Sequence, residues 1–237
     1  MRLFRVYGQN VALASVLVAA AALPVSAQGT KDEFWPELNV YYNINSTTRL
    51  NVENSFNQNQ SERNRQGSFA YFLDFALKPL LRRELRSHAD VFRRRYLTFR
   101  AGYQYTTSFE NDDPSSEDRA IIESTARYFL PAGILLSDRN RGEFRFVKAK
   151  PFSTRYRNRL RMEHDFKIGG IVCIPYGSGE VFFNTSNNRW TPFRYQAGVQ
   201  IPTGPRVVFD LYYARQHDTS GTPARINALG LTLNLYF

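Results

Sequence analysis

Residues 155–166 read Arg-Tyr-Arg-Asn-Arg-Leu-Arg-Met-Glu-His-Asp-Phe. Arg157, Arg159, Arg161, Glu163 and Asp165 alternate there with Tyr156, Leu160, Met162 and Phe166. On a helix these charges would scatter round the surface; on a strand they share one side. The stretch is therefore a strand with one charged and one largely apolar face. Arg, not Lys, fills the charged face. That choice suits a confined space, where a planar guanidinium grips carboxylates with two donors, better than a face turned to bulk water.

The same period of two recurs from Phe34 to Phe237, with almost no apolar spacing of 3, 4 and 7. Leu38, Val40, Tyr42 and Ile44 alternate with polar residues, as do Leu50, Val52 and Phe56. Phe69 to Leu77, Leu97 to Tyr105, Ala120 to Tyr128, Phe193 to Ile201, Val207 to Tyr213 and Leu229 to Phe237 repeat the pattern. In 134–147 the polar set is Ser137, Arg139, Arg141, Glu143 and Arg145, but Asp138 and Asn140 spoil the apolar one; 171–183 is ambiguous in face. Segments of about ten residues match the reach of a tilted strand across a bilayer. Short links (Pro131 to Gly133, Lys167 to Gly170, Pro202 to Pro205) alternate with longer polar ones, as between the two ends of an outer-membrane barrel. One link breaks this rule: Leu80 to Arg95 is long and carries six Arg where a short turn is expected.

These features predict an all-β chain, a transmembrane antiparallel up-and-down β-barrel of 10–12 strands. Eleven segments are visible, whereas single-chain bacterial barrels have even counts with both termini at the periplasmic end. Fusing 34–44 with 48–56 gives ten strands; a strand hidden in 80–92 gives twelve, the preferred reading.

Residues 1–27 combine Arg2 and Arg5, an apolar run from Val11 to Leu23 and Pro-Val-Ser-Ala27. A basic start, a short apolar core and a small-residue cleavage site make a secretory signal peptide, leaving 28–237 as the barrel. The lone Cys173 excludes an intrachain disulfide and a Cys-based zinc cluster. No metal-ligand spacing, phosphate loop or dinucleotide motif is present, so no cofactor is expected. The formal charge of +10 would suit nucleic acid, but export removes the chain from that partner.

Gly230-Leu-Thr-Leu-Asn-Leu-Tyr-Phe237, with Leu233, Leu235 and Phe237 in alternation, resembles the C-terminal strand that the barrel-assembly machinery reads in bacterial outer-membrane proteins. A wider resemblance rests on Phe34-Trp35-Pro36-Glu37, Lys78-Pro79-Leu80, Glu123-x-Thr125-Ala126-Arg127-Tyr128, Ser137-Asp138-Arg139-Asn140-Arg141, Arg155-Tyr156-Arg157-Asn158-Arg159-Leu160 and Asn227-Ala228-Leu229-Gly230. Together these are similar to a Gram-negative outer-membrane barrel family catalogued as a domain of unknown function. The resemblance implies a barrel in the outer membrane, with lipids and the assembly machinery as partners, and no assigned activity.

Alternation turns eleven arginines inward: Arg49, Arg100, Arg119, Arg127, Arg139, Arg141, Arg145, Arg157, Arg159, Arg161 and Arg194. Nine carboxylates join them: Glu37, Glu53, Asp74, Glu123, Glu143, Glu163, Asp165, Glu180 and Asp210. Two readings follow. Either the charges zip across the lumen as a structural ladder, or Arg139 to Arg145 and Arg157 to Arg161 line a narrow path for small anionic solutes. The link residues Arg82, Arg83, Arg86, Arg93, Arg94 and Arg95 would then touch anionic lipid headgroups or form a solvated turn.

The chain is not expected to be an enzyme. The competing readings are a lipid or ester hydrolase built on His217 (with Asp218 and Ser220) or His88 (with Ser87 and Asp90), and a soluble periplasmic barrel binding an apolar ligand. The export reading predicts that N-terminal sequencing of the protein recovered from cell envelopes starts at about Gln28; an envelope form still beginning at Met1 contradicts it.

Overall fold

The computed structural model describes residues 30–59, 65–77, 89–109, 115–186, 189–218 and 224–237. Residues 1–27, read above as a signal peptide, lie outside the described residues. Twelve strands follow in order: β1 (Thr30–Asn43), β2 (Thr48–Asn59), β3 (Arg65–Ala76), β4 (Leu97–Ser108), β5 (Ser116–Phe129), β6 (Ile134–Val147), β7 (Ser153–His164), β8 (Phe166–Ile168), β9 (Ile171–Asn184), β10 (Arg189–Pro202), β11 (Val207–Asp218) and β12 (Ala224–Tyr236). Eleven of them close a ring in which chain neighbours pair antiparallel. The three-residue β8 continues β7 past a break at Asp165: Glu163 faces Tyr176 on β9, and Phe166 faces Cys173 in unchanged register.

The even count fails. With an odd number of up-and-down staves the first and last must run the same way, and β1 pairs with β12 in parallel, Leu38 opposite Leu233 and Tyr41 opposite Tyr236. Thr30 therefore starts at the end with the longer connections, whereas Phe237 finishes at the other end, its N–H donating to Tyr41 O and its carbonyl accepting from Asn43 N–H. A parallel pair is slightly weaker per residue than an antiparallel one. Inward side chains stitch this seam: Tyr41 and Tyr236 stack at 4.7 Å, and Asn39 Nδ2 donates to Asn234 Oδ1 at 3.2 Å.

The ring closes without either route to an even count, since β1 and β2 are separate strands and β3 pairs directly with β4. Segments 34–44 and 48–56 are two strands, because Asn45 Oδ1 accepts from the Thr47 and Thr48 N–H groups (2.9 Å each) and turns the chain. This Asx-type turn has no glycine to announce it. In the other stretch, Val91–Arg94 is a single 3-10 turn, and residues 78–88 lie outside the described residues.

Polarity is inverted relative to a soluble barrel. Phe69, Tyr71, Leu73 and Phe75 on β3, Leu160 and Met162 on β7, Leu211 on β11, and Leu229 and Leu231 on β12 are exposed on the outside. Asn51, Asp74, Arg141, Glu143, Glu163, Glu180 and Asp210 are buried inside. A soluble carrier of apolar ligands needs the opposite arrangement. Outward rings gather toward the two ends. Tyr96 packs edge-on to Tyr128 by the short turns; Phe146 with Phe152, and Trp190 with Phe183 and Tyr156, pack by the longer connections. Asp138, Asn140 and Asn158 interrupt the outer apolar face, but they bond one another: Asn158 Nδ2 donates to Asp138 Oδ1 (2.7 Å) and Asn140 Oδ1 (3.0 Å).

Large rings also sit inside, over residues without side chains. Tyr212 lies across Gly230 on the neighbouring strand, where an added Cβ would fall 2.0 Å from its Cζ. Phe72 covers Gly102 in the same way. Gly230→Ala is expected to lower stability by about 1–3 kcal/mol through overpacking. Adding Tyr212→Ala should recover part of that loss. Refolding into detergent micelles without assembly machinery isolates this effect from any recognition of the last strand; unchanged stability of Gly230→Ala contradicts the packing assignment.

Candidate functional site

Four adjacent strands build one wall of the lumen. Arg139, Arg141, Glu143 and Arg145 project inward from β6, and Arg155, Arg157, Arg159, Arg161 and Glu163 from β7; β9 adds Glu180 and β10 adds Arg194. Their register sets Arg139 opposite Arg159 and Arg141 opposite Arg157. Like charges directly opposite repel. Carboxylates from neighbouring strands are threaded between them. Glu180 meets Arg139 (2.5 Å), Arg157 (3.0 Å) and Arg194 (3.5 Å). Glu143, 1% exposed, meets Arg157 (2.9 Å), and Glu123 on β5 meets Arg141 (2.7 Å). Toward the longer connections Glu117 holds Arg119 (2.7 Å) and Arg145. Toward the short turns Asp74 holds Arg49 and Arg100 at 2.7 Å each, and Glu53 holds Arg100 at 2.6 Å.

The rest of the lumen lining is largely acidic and amidic. Glu37 accepts from Asn39 Nδ2 (2.6 Å), and Asp210 accepts from Tyr176 OH and Gln200 Nε2 (2.8 Å each).

The exceptional link enters the barrel. Asp90 caps the Val91–Arg94 turn by accepting from Phe92 N–H (2.9 Å), and it pairs with Arg49 of β2 (2.7 Å). Arg93 reaches across to Glu163 of β7 and to Asp165. Strands β2 and β7 stand far apart round the ring, so Asp90–Arg93 crosses the lumen at its short-turn end. Phe92 is 1% and Arg93 5% exposed, and the Arg49 guanidinium stacks 4.2 Å above the Phe92 ring. Burial opposes the charge on Arg93, but the Glu163 and Asp165 carboxylates outweigh it and hold the guanidinium above the ordinary arginine range. Above this crossing lies a cavity of about 210 Å³, and beyond it one of about 510 Å³ extending toward the longer connections. Eight arginines and four carboxylates line the larger one among the described residues: Arg119, Arg139, Arg141, Arg155, Arg157, Arg159, Arg161 and Arg194 against Glu37, Glu53, Glu180 and Asp210.

The model of a family described as "Protein of unknown function (DUF2490)" matches residues 32–227. The chain belongs to that family. No curated protein and no solved structure matches the chain. The family match covers nearly the whole described ring, from β1 into β12.

Of the inward residues named from alternation, Arg100, Arg119, Glu123, Arg139, Arg141, Glu143, Arg145, Arg157, Arg161 and Glu163 all enter ion pairs inside this DUF2490 barrel. Arg127 bonds instead to Thr98 Oγ1 (3.1 Å) and Arg95 O (3.4 Å). Arg159 lines both cavities. In the last strand Leu233 and Leu235 run along the outer side of the seam, Gly230 lies under Tyr212, and Phe237 ends beside Asn43.

One expectation needs correction. The basic link is neither headgroup contact nor solvated turn at Arg93, which is buried in the lumen; Arg82, Arg83 and Arg86 lie outside the described residues. Among the described residues the arginines lining the larger cavity collect mainly on the β6–β10 wall, where alternation places Arg139 to Arg145 and Arg157 to Arg161. Sequence reasoning did not place Asp90, Arg93, Glu117 or Arg155 in the lumen. The first two sit in a link with no strand period; the last two stand at strand ends where alternation begins. His217 follows the inward-facing Gln216 and faces Arg225 across β11 and β12, on the outer parity; His88 and Ser220 lie outside the described residues.

Glu180 is the node of the wall. Glu180→Gln leaves three guanidiniums without their shared carboxylate and should cost about 3–5 kcal/mol in guanidinium-induced unfolding. A midpoint unchanged by Glu180→Gln contradicts the assignment.

Proposed function

We propose that this protein is an integral outer-membrane β-barrel whose lumen is closed near its short-turn end by its own Asp90–Arg93 crossing, a rigid membrane cup and not an open channel. The observation that carries the reading is the inverted polarity: an outer face of Leu, Phe and Tyr around an interior of paired Arg, Glu and Asp. Exposed apolar surface on this scale calls for a covering phase, and rings of outward aromatics near both ends suit the two interfaces of a bilayer. The basic and apolar pattern of 1–27 supports delivery to the envelope, and the alternation of Leu229, Leu231, Leu233 and Leu235 in β12 supports an apolar outer face on that strand. The shortest turns would face the periplasm and the larger cavity the exterior, with β1 starting at the external end.

Between ladder and solute path, the crossing favours the ladder. Phe92 and Arg93 occupy the axis that a permeating solute would need, and Glu163 and Asp165 anchor them. No catalytic role is assigned: His217 has the outer parity, away from the lumen's charged groups.

Purified protein should require detergent for extraction and migrate as a compact, heat-modifiable band. In planar bilayers the wild type should give no steady conductance, and Phe92→Gly with Arg93→Ser should create channel events. Extraction without detergent contradicts the membrane reading. A steadily open wild-type channel contradicts the closed lumen.

A further inference from the structure

The ion-pair ladder is incomplete on one side, and that surplus faces the larger cavity. Among the described residues Arg159 makes no hydrogen bond or ion pair, although Arg139 stands directly opposite it. Arg155 donates only to Asn184 Oδ1 (2.7 Å), and the Glu143 opposite it is engaged by Arg157. Arg139 holds Glu180 through Nη2, but its buried Nε makes no hydrogen bond, the Glu123 carboxylate lying 3.8 Å away. Inward positions on a strand recur every two residues, so Arg155, Arg157 and Arg159 present guanidiniums at intervals of about 6–7 Å. Two guanidiniums that line the cavity without a carboxylate hydrogen-bonded to either keep N–H donors free for an anion in the space between them.

We infer that the 510 Å³ cavity is a binding site for a small solute carrying two or more anionic oxygens groups of phosphate or carboxylate type, gripped by Arg155, Arg159 and Arg139. The volume lies within the range of small-molecule sites. Planar guanidiniums with free N–H edges match such oxyanions bidentately. Glu37 and Glu53, from β1 and β2 on the far side of the same cavity, repel the ligand toward the arginine wall. The crossing at Phe92 and Arg93 gives the site a floor, so the ligand enters from the end with the longer connections and is held there. The inference concerns the lumen and holds for the folded barrel in micelles, whether or not the outer face meets a bilayer in the cell.

Calorimetric titration of the folded full-length mature barrel in a zwitterionic detergent at low ionic strength tests it, with inorganic pyrophosphate, citrate and uncharged sucrose as probes. Saturable one-to-one binding of pyrophosphate or citrate is expected, and none of sucrose; which anion binds separates phosphate from carboxylate chemistry. Arg155→Gln with Arg159→Gln should weaken binding at least tenfold without lowering the unfolding midpoint, since neither residue is ion-paired. Lys148→Ala with Lys150→Ala, exposed in the β6–β7 turn, should leave binding unchanged. Should the arginine pair fail to fold, peptide mapping of the wild type after phenylglyoxal treatment replaces it: pyrophosphate or citrate should protect Arg155 and Arg159 from modification. Absence of saturable anion binding, equal loss from the lysine pair, or no protection of the two arginines overturns the inference.

Discussion

A guanidinium on the inner face of a small barrel must find its acceptors inside the lumen, and most here find a carboxylate; this constraint organises the molecule. Glu180 is where it is met most tightly, with three arginines from β6, β7 and β10 converging on one side chain. Glu123, Glu143 and Glu163 repeat the device along the same wall. Aromatic rings do the remainder: Arg161 lies 3.6 Å above Tyr176, and Arg157 and Arg194 both face Phe182. Such networks hold strands at fixed separation, since shifting one stave by a residue would carry every inward charge to the apolar side.

The parallel seam and the crossing link answer the same constraint in different places. An odd ring must contain one parallel pair, and here the stack of Tyr41 on Tyr236 and the Asn39–Asn234 bond tie it from within. The Arg49 guanidinium then lies 4.4 Å above Tyr41 and 4.2 Å above Phe92 while its donors hold Asp74 and Asp90. Seam, ladder and crossing thus meet at one arginine. On the outer-membrane reading this places the stiffest part of the barrel near the periplasmic end, with the larger cavity open to ligands on the other side.

Much of this was legible in period-two alternation. It separates Leu160 from Arg159 and Leu231 from Thr232 without reference to any partner, because the pleat alone decides the face. Alternation also exposes eleven segments, and the odd number was correct where the habit of even barrels was not. What it could not carry is which charges meet. Pairing of Glu180 with Arg139 depends on two registers at once, and a single sequence gives neither. The crossing was hidden for a simpler reason: a 3-10 turn of Val91–Arg94 has no strand period, so its composition read as a basic surface. Arg155 escaped because a position near the start of a strand looks like the end of a loop.

The central claim of the proposed function is that the apolar face of the strands meets lipid while the other face lines the lumen. Single cysteines at Ala228, Leu229, Leu231 and Thr232 of β12, in a background where Cys173 is serine, probe it within one strand. After reconstitution in brominated-lipid vesicles, fluorophores at 229 and 231 should be quenched by the acyl chains, and those at 228 and 232 should not. Uniform quenching along the strand, or quenching at 228 and 232 with none at 229 and 231, would contradict the account.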